Sequence, residues 1–247
     1  MTRSTDREKA SPQTRHVEQA LRRAARGAQG GTPGDNGERG SKRAAADAAD
    51  RLARRIAEEG LADVSYTSAD SPFGRLLVAA TGQGLVRVAF PEEDEDAMLE
   101  SLSRRISPRI LQAREPLDPV LRELDEYFGG RRRRFDLELD WQLVGPFGRR
   151  VLRVTSEIPY GGVMSYAEVA TDAGSPRGFR AAGNALGSNP MPIVVPCHRV
   201  LHSGGGLGGY TGGVERKVRL LGIEGVLSPS PAAGTASRRS GPTSGRS

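Results

Sequence analysis

Residues 189–200 are the most informative stretch of the chain, and they read NPMPIVVPCHRV. The apolar run from Ile193 to Val195 predicts a short strand, and Pro196 ends it because proline cannot donate a hydrogen bond to a strand ladder. The break brings Cys197, the only cysteine in the sequence, directly before His198. A nucleophile and a base are therefore adjacent at the end of a predicted strand.

The Cys-His pair allows two interpretations. A cysteine reacts as its thiolate, and a histidine oriented by a carboxylate supplies the activation that a free thiol lacks. Neighbouring residues of an extended segment point to opposite sides. Cys197 and His198 therefore need not touch, and a water molecule would bridge them. The alternative is structural, with Cys197 a small buried apolar residue and His198 a hydrogen-bonded turn residue.

The segment 142–227, which surrounds this stretch, has a mostly helical pattern and a net charge of +4. Helices are predicted over 147–158, from a capping box at 165–168, and over 177–186 after a turn. Two short helices joined by a tight turn in a basic segment suggest a helix-turn-helix, which binds DNA. Packing within a helical core explains the same pattern equally simply.

The segment 61–141 predicts an α+β domain of antiparallel strands with two helices, and its net charge is −5. Alternating or apolar runs bounded by turn residues predict the strands, and helical spacing predicts the helices. The strands are 64–67, 76–80, 85–90 and 135–141, and the helices are 92–106 and 116–128.

The two ends of the chain are basic and poor in apolar residues. Residues 1–43 and 228–247 are predicted to be disordered tails, because they offer too little apolar surface to offset the entropy of ordering. Helical spacing with a following glycine predicts a short helix over 44–60. We expect the tails to be solvated segments that keep the protein soluble, and the basic extension over 1–60 to add no more than weak, salt-sensitive attraction to DNA.

Composition excludes several classes of protein. The 247 residues contain no apolar run long enough for a transmembrane helix and no signal-peptide core at the N-terminus. One cysteine cannot form an internal disulfide or a multi-cysteine zinc site, so a reducing, cytoplasmic setting is expected and no metal site is predicted. No nucleotide or flavin motif is present, and we predict no cofactor.

The sequence resembles the O6-alkylguanine-DNA alkyltransferases, also called methylated-DNA–protein-cysteine methyltransferases. The resemblance covers roughly residues 62–226 and is strongest at PCHRV, residues 196–200, the family's signature around its alkyl acceptor. The other matching stretches are SPFG at 71–74, RAAGNALGSNP at 180–190, GGYTGG at 208–213 and LLGIE at 220–224.

The resemblance implies the catalytic residues and the fold. Cys197 matches the alkyl acceptor, His198 the base that takes its proton through water, and Glu224 the carboxylate that polarises the histidine. Asn189 matches a hinge between the recognition helix and the active-site segment. The implied fold is a small ribonuclease-H-like sheet domain followed by a mostly helical, winged helix-turn-helix-like domain.

The resemblance also implies residues that bind DNA and the base. Tyr166 and Arg180 match the pair that opens the duplex, since the target base must leave the stack to be reached. The small residues beside Arg180 would enter the minor groove, although helix packing would also explain them. The full predicted set for DNA and base binding is Tyr166, Arg180, Ala181, Ala182, Gly183, Val195, Pro196, Arg199, Tyr210 and Thr211.

The predicted function is stoichiometric DNA repair, in which an alkyl group moves from O6-alkylguanine in double-stranded DNA to Cys197. Transfer from O4-alkylthymine is a further option that the sequence leaves open. The protein is expected to be a monomer, bound to the nucleoid when on DNA and not to a membrane. Two alternatives remain: a damage-sensing DNA-binding protein with an inert cysteine, and a Cys-His hydrolase with a labile thioester intermediate.

Overall fold

The computed structural model describes residues 62–227, together with Ala48 and Arg51, which are both helical. The tails predicted at 1–43 and 228–247 lie outside the described residues, as does the rest of the helix predicted over 44–60. None of the helices in the described part combines the length and apolar composition that crossing a bilayer requires.

The first half of the described chain contains four strands and two α-helices, as an α+β fold requires. In chain order they are β1 (Val64–Ala69), β2 (Leu76–Thr81), β3 (Gly84–Ala89), α1 (Glu95–Arg105), β4 (Ile110–Gln112), a 3-10 turn (Glu115–Leu117) and α2 (Asp118–Phe128). The strand order is β3-β2-β1-β4. Both hairpins are antiparallel, as predicted, but β4 was not predicted and pairs in parallel with β1.

The strand predicted over 135–141 is wrong. Only Leu139 forms a bridge there, to Leu85 of β3. The bridge consists of two backbone bonds, from Leu85 N to Glu138 O at 2.9 Å and from Asp140 N to Leu85 O at 2.8 Å. The alternation that suggested a strand comes from burial, because the apolar members of the run pack against the main core and only this single bridge joins them to the sheet.

Alternation along β2 divides the sheet into two apolar faces. Ala79 belongs to a small cluster that also contains Met98 and Leu102 of α1. Leu76 and Val78 belong to the large cluster, which joins α2 to the helices of the second half of the chain. The sheet is therefore covered on both faces, and the second covering layer contains Cys197.

The second half of the described chain is helical, as predicted, with one short two-stranded parallel sheet. Its elements are α3 (Pro146–Ser156), β5 (Met164–Ser165), α4 (Tyr166–Asp172), α5 (Phe179–Gly187), a 3-10 turn (Cys197–Arg199), β6 (Val200–Leu201) and α6 (Val214–Ile223). Ser165 and Glu168 form the predicted capping box at the start of α4. β5 pairs with β6, which ties the start of α4 to the chain just after Cys197.

Candidate active site

The segment before Cys197 is a buried turn, so the strand predicted over 193–195 is wrong. Val195 N donates to Met191 O at 2.8 Å, and Ile193 has a φ of 75°, a left-handed conformation that is rare for a branched residue. Such a residue costs about 1–2 kcal/mol, which the surrounding packing must offset. Ile193 is fully buried, and this explains the apolar run that suggested a strand.

Asn189 holds the turn and contacts the nucleophile. Its Oδ1 accepts from Met191 N at 3.0 Å, and its Nδ2 donates to Val195 O at 2.8 Å. The same Nδ2 lies 3.2 Å from Cys197 Sγ. One buried amide thus connects the end of α5 to the sulfur, the connection expected of a hinge residue.

Cys197 begins the short 3-10 turn and is only 4% exposed. Burial raises the pKa of its thiol to about 11, while the hydrogen bond from Asn189 and the charge of Lys217 act in the opposite direction. The thiol is therefore neutral at pH 7 in the resting protein. A base must remove its proton when the sulfur reacts.

His198 is fully buried and is held by Glu224 at the end of α6. Its Nε2 lies 2.8 Å from Glu224 Oε1, whereas its Nδ1 is buried without a protein partner. An ionised carboxylate only accepts, so Nε2 carries the hydrogen and Nδ1 has the free lone pair. Burial lowers the pKa of His198 despite the carboxylate. A neutral imidazole with an unused acceptor is suited to take a proton.

Glu224 is the centre of a buried hydrogen-bond network that joins the two halves of the described chain. Tyr127, from α2, donates to Oε1 at 2.7 Å. Arg199 binds the carboxylate through Nε at 2.9 Å and Nη2 at 2.8 Å. Burial opposes ionisation of Glu224, but the hydrogen bonds from His198 and Arg199 outweigh it and lower its pKa to about 2.

Arg199 belongs to the set predicted for DNA and base binding, but its side chain is buried in the described structure. It is 5% exposed, pairs with Glu224 and also donates to Ile158 O. A buried guanidinium needs a buried carboxylate, and α6 supplies one. The basic residue of the signature therefore supports the site from within the core.

A cleft of about 500 Å³ opens above the sulfur. It brings together six of the predicted residues from four separate segments of the chain, and five further residues complete its wall. The predicted residues are Tyr166, Arg180, Gly183, Cys197, Tyr210 and Thr211, and the others are Phe179, Leu186, Gly187, His202 and Gly209.

The three hydroxyls of the cleft are in different states. The Tyr210 hydroxyl is buried and has no protein partner. Thr211 donates to Gly187 O at 2.6 Å, and Tyr166 makes only a long contact of 3.4 Å with Gly209 O. Tyr210 therefore has an unused hydrogen-bonding group beside the sulfur, while Thr211 fastens the glycine-rich loop to α5.

Besides Arg199, four residues of the predicted DNA- and base-binding set do not line the cleft. Ala181 is exposed on α5, whereas Ala182 is fully buried and packs in the core. The burial of Ala182 therefore agrees with helix packing, the alternative explanation given above for the small residues beside Arg180. Val195 and Pro196 are buried in the turn, and both backbone groups of Val195 are already hydrogen-bonded within the protein.

Lys217 is a residue to which the sequence reasoning gave no role. It is fully buried in α6, and its Nζ donates to Val200 O at 2.6 Å and to Leu207 O. Burial lowers its pKa to about 8, so it is mostly charged at pH 7, and its charge favours ionisation of Cys197. The available signal was its position between two stretches that match the family, 208–213 and 220–224.

Two family models match the chain. The ribonuclease-like domain of 6-O-methylguanine DNA methyltransferase matches residues 64–141, and the DNA binding domain of the same family matches residues 146–226. Together they span more than half of the chain.

Named relatives give the same result. The chain is 37% identical over 167 residues to a methylated-DNA–protein-cysteine methyltransferase of Mycolicibacterium paratuberculosis, an alignment that covers 68% of this chain and 96% of that protein. The constitutive enzyme of Bacillus subtilis is 36% identical over 163 residues, which cover 64% and 94% of the two chains.

A solved structure of Mycobacterium tuberculosis OGT in complex with DNA is also similar. Its TM-score is 0.55 at 36% identity, and the match covers 65% of this chain and 92% of that one. The fold, the two domain models and these relatives all agree with the resemblance seen in the sequence. The chain belongs to the 6-O-methylguanine DNA methyltransferase family.

Proposed function

We propose that this protein repairs DNA by moving the alkyl group of O6-alkylguanine onto Cys197, once per molecule. The relatives are named for transfer of this kind, and one of them is solved with DNA. The observation that carries the proposal is the position of the Cys197 sulfur. Cys197 lines the cleft, Asn189 Nδ2 lies 3.2 Å from its sulfur, and the next residue, His198, is paired with Glu224.

The reaction is a displacement at the alkyl carbon. The Cys197 thiol loses its proton towards His198 Nδ1 through a bridging water, and the sulfur forms a bond to the alkyl carbon as the bond from carbon to guanine O6 breaks. The electron pair stays on guanine, which takes up one proton and leaves as normal guanine. The cysteine becomes a thioether, which water does not cleave, so the protein is consumed.

Three groups favour this step. Lys217 and the Asn189 amide stabilise negative charge on the sulfur, because a cation and a hydrogen-bond donor both favour the ionised form. The Tyr210 hydroxyl, which has no protein partner, is available for the guanine that leaves. We propose no cofactor for a transfer in which the sulfur and the base are the only reactants.

Binding to DNA is the second part of the proposal. O6 of guanine lies in the major groove of a stacked pair, so a buried sulfur reaches it only after the nucleotide is extruded. Arg180, exposed at the start of α5, would enter the gap, and Tyr166 would support the rotated nucleotide. We propose that the protein acts on duplex DNA as a monomer, in the compartment that holds the chromosome.

The decisive experiment is incubation with a duplex that carries one O6-methylguanine, followed by intact mass measurement and peptide mapping. One methyl group on Cys197, and no more than one per molecule, is the expected result. Cys197→Ala is the control, and it should bind the duplex without gaining mass. Lesion binding by the wild-type protein without any methyl transfer would favour a damage sensor and refute the proposal.

A further inference from the structure

Phe179 is a large apolar side chain exposed beside the active site. It is the first residue of α5 and is 49% exposed. Val163, Val214 and Val218 are the other large apolar side chains exposed in the described part of the chain, and none of them lines the cleft above Cys197. Phe179 is thus the aromatic member of this set and the one at the site.

The surroundings of Phe179 leave its ring available. It belongs to neither hydrophobic cluster of the described residues. The central carbon of the Arg180 guanidinium lies 5.8 Å from the centroid of the Phe179 ring. Further along the same helix, Gly183, Leu186 and Gly187 also line the cleft. The Phe179 ring and the planar Arg180 guanidinium therefore lie close together at the start of α5, and small residues follow them in the helix.

We infer that Phe179 is a second DNA-probing residue, whose ring stacks on the base pair next to the extruded nucleotide while Arg180 occupies the gap. The inference rests on the proposed function, because it concerns the same nucleotide extrusion. Extrusion exposes the faces of the neighbouring bases, and proteins that open base steps from the minor groove often insert an apolar side chain there. A ring already exposed in the free protein loses no packing when it does so.

The inference makes the contribution of Phe179 specific to duplex DNA. Removing an aromatic ring that stacks on a base weakens binding by about 5- to 150-fold in other proteins. A half-exposed ring at the edge of a gap should lie near the lower end of that range. A free O6-alkylguanine base needs no extrusion and should not depend on the ring.

The test compares single-turnover transfer by wild type, Phe179→Ala, Phe179→Trp and the control Val218→Ala. Val218, on α6, is also exposed, but it is not among the residues that line the cleft. Each protein reacts with a duplex carrying one O6-methylguanine and, separately, with free O6-benzylguanine. Thermal unfolding of each variant checks that the exposed substitutions leave the fold intact.

We expect Phe179→Ala to react about tenfold more slowly with the duplex and at the wild-type rate with the free base. Phe179→Trp should keep most of the duplex rate because it can still stack, and Val218→Ala should match wild type. Equal duplex rates for Phe179→Ala and wild type would overturn the inference. So would equal slowing on both substrates, which would mean that the ring contacts the base inside the cleft. Failure of the proposed function looks different, since wild type itself would then transfer no methyl group.

Discussion

Replacing Glu224 with glutamine should lower the free energy of unfolding while leaving the backbone conformation nearly unchanged. Glutamine has nearly the same size and can still accept from His198 Nε2. It cannot balance the charge of Arg199, whose side chain is 6% exposed and bound to the carboxylate. Removing one partner of a buried ion pair typically costs about 3–5 kcal/mol, because the other charge is left uncompensated.

The pKa of Glu224 gives a second measure of the same effect. The network lowers it from 4.5 to about 2. At about 1.4 kcal/mol per pKa unit, this corresponds to roughly 3 kcal/mol of stability from the ionised form. A carboxyl with a lowered folded pKa contributes that stability above pH 4.5 and loses it as the pH falls towards 2. The difference in the free energy of unfolding between wild type and Glu224→Gln should therefore have its full size at pH 7 and decrease as the pH falls below 4.5.

Urea unfolding at several pH values measures this directly. The matched control is Glu100→Gln, which removes an equal charge from a surface pair with Arg104 and should cost less than about 1 kcal/mol. The double variant Arg199→Met/Glu224→Gln removes both buried charges and should recover much of the loss. If Glu224→Gln at pH 7 loses no more unfolding free energy than the Glu100→Gln control, the Glu224 carboxylate does not balance the charge of Arg199, and the reasoning fails.

Three further predictions concern the reaction. Arg180→Ala should slow methyl transfer from duplex DNA more than from free O6-alkylguanine base, measured as single-turnover rates. Equal slowing on both substrates would remove the role given to Arg180 in opening the duplex. Lys217→Met should slow transfer at pH 7 by about tenfold, because the loss of a nearby positive charge disfavours the ionised form of Cys197. The difference in transfer rate between Lys217→Met and wild type should decrease above pH 8, where Lys217 loses its own charge. A rate difference that stays constant up to pH 9.5 would argue against a charge effect. The acid-side fall of the wild-type rate should have its midpoint below pH 6.5, because burial lowers the pKa of His198. A rate that halves near pH 6.5 would mean that the base titrates as an ordinary exposed histidine.

Local sequence signals located most of the elements but not their pairing. The capping box at Ser165 was found because it depends on residues three apart. The parallel pairing of β4 was missed because three residues carry almost no periodic signal. Phe135–Trp141 and Ile193–Val195 both looked like strands because apolar spacing reports burial. A ladder partner decides whether a buried extended run is a strand, and that partner lies elsewhere in the chain.

The sequence by itself determined the family, because PCHRV is a local, specific signature, and it singled out Cys197, the only cysteine, as the proposed nucleophile. Through the same resemblance it paired His198 with Glu224, and the structure brings those two side chains to 2.8 Å. Only the tertiary structure decided that Arg199 faces the core, that Lys217 lies near the sulfur, and that Tyr127 bonds to Glu224 across 97 residues of sequence. The reason is physical: whether a charged or polar side chain faces water or the interior depends on the partner that distant elements bring to it, and no local pattern contains that partner.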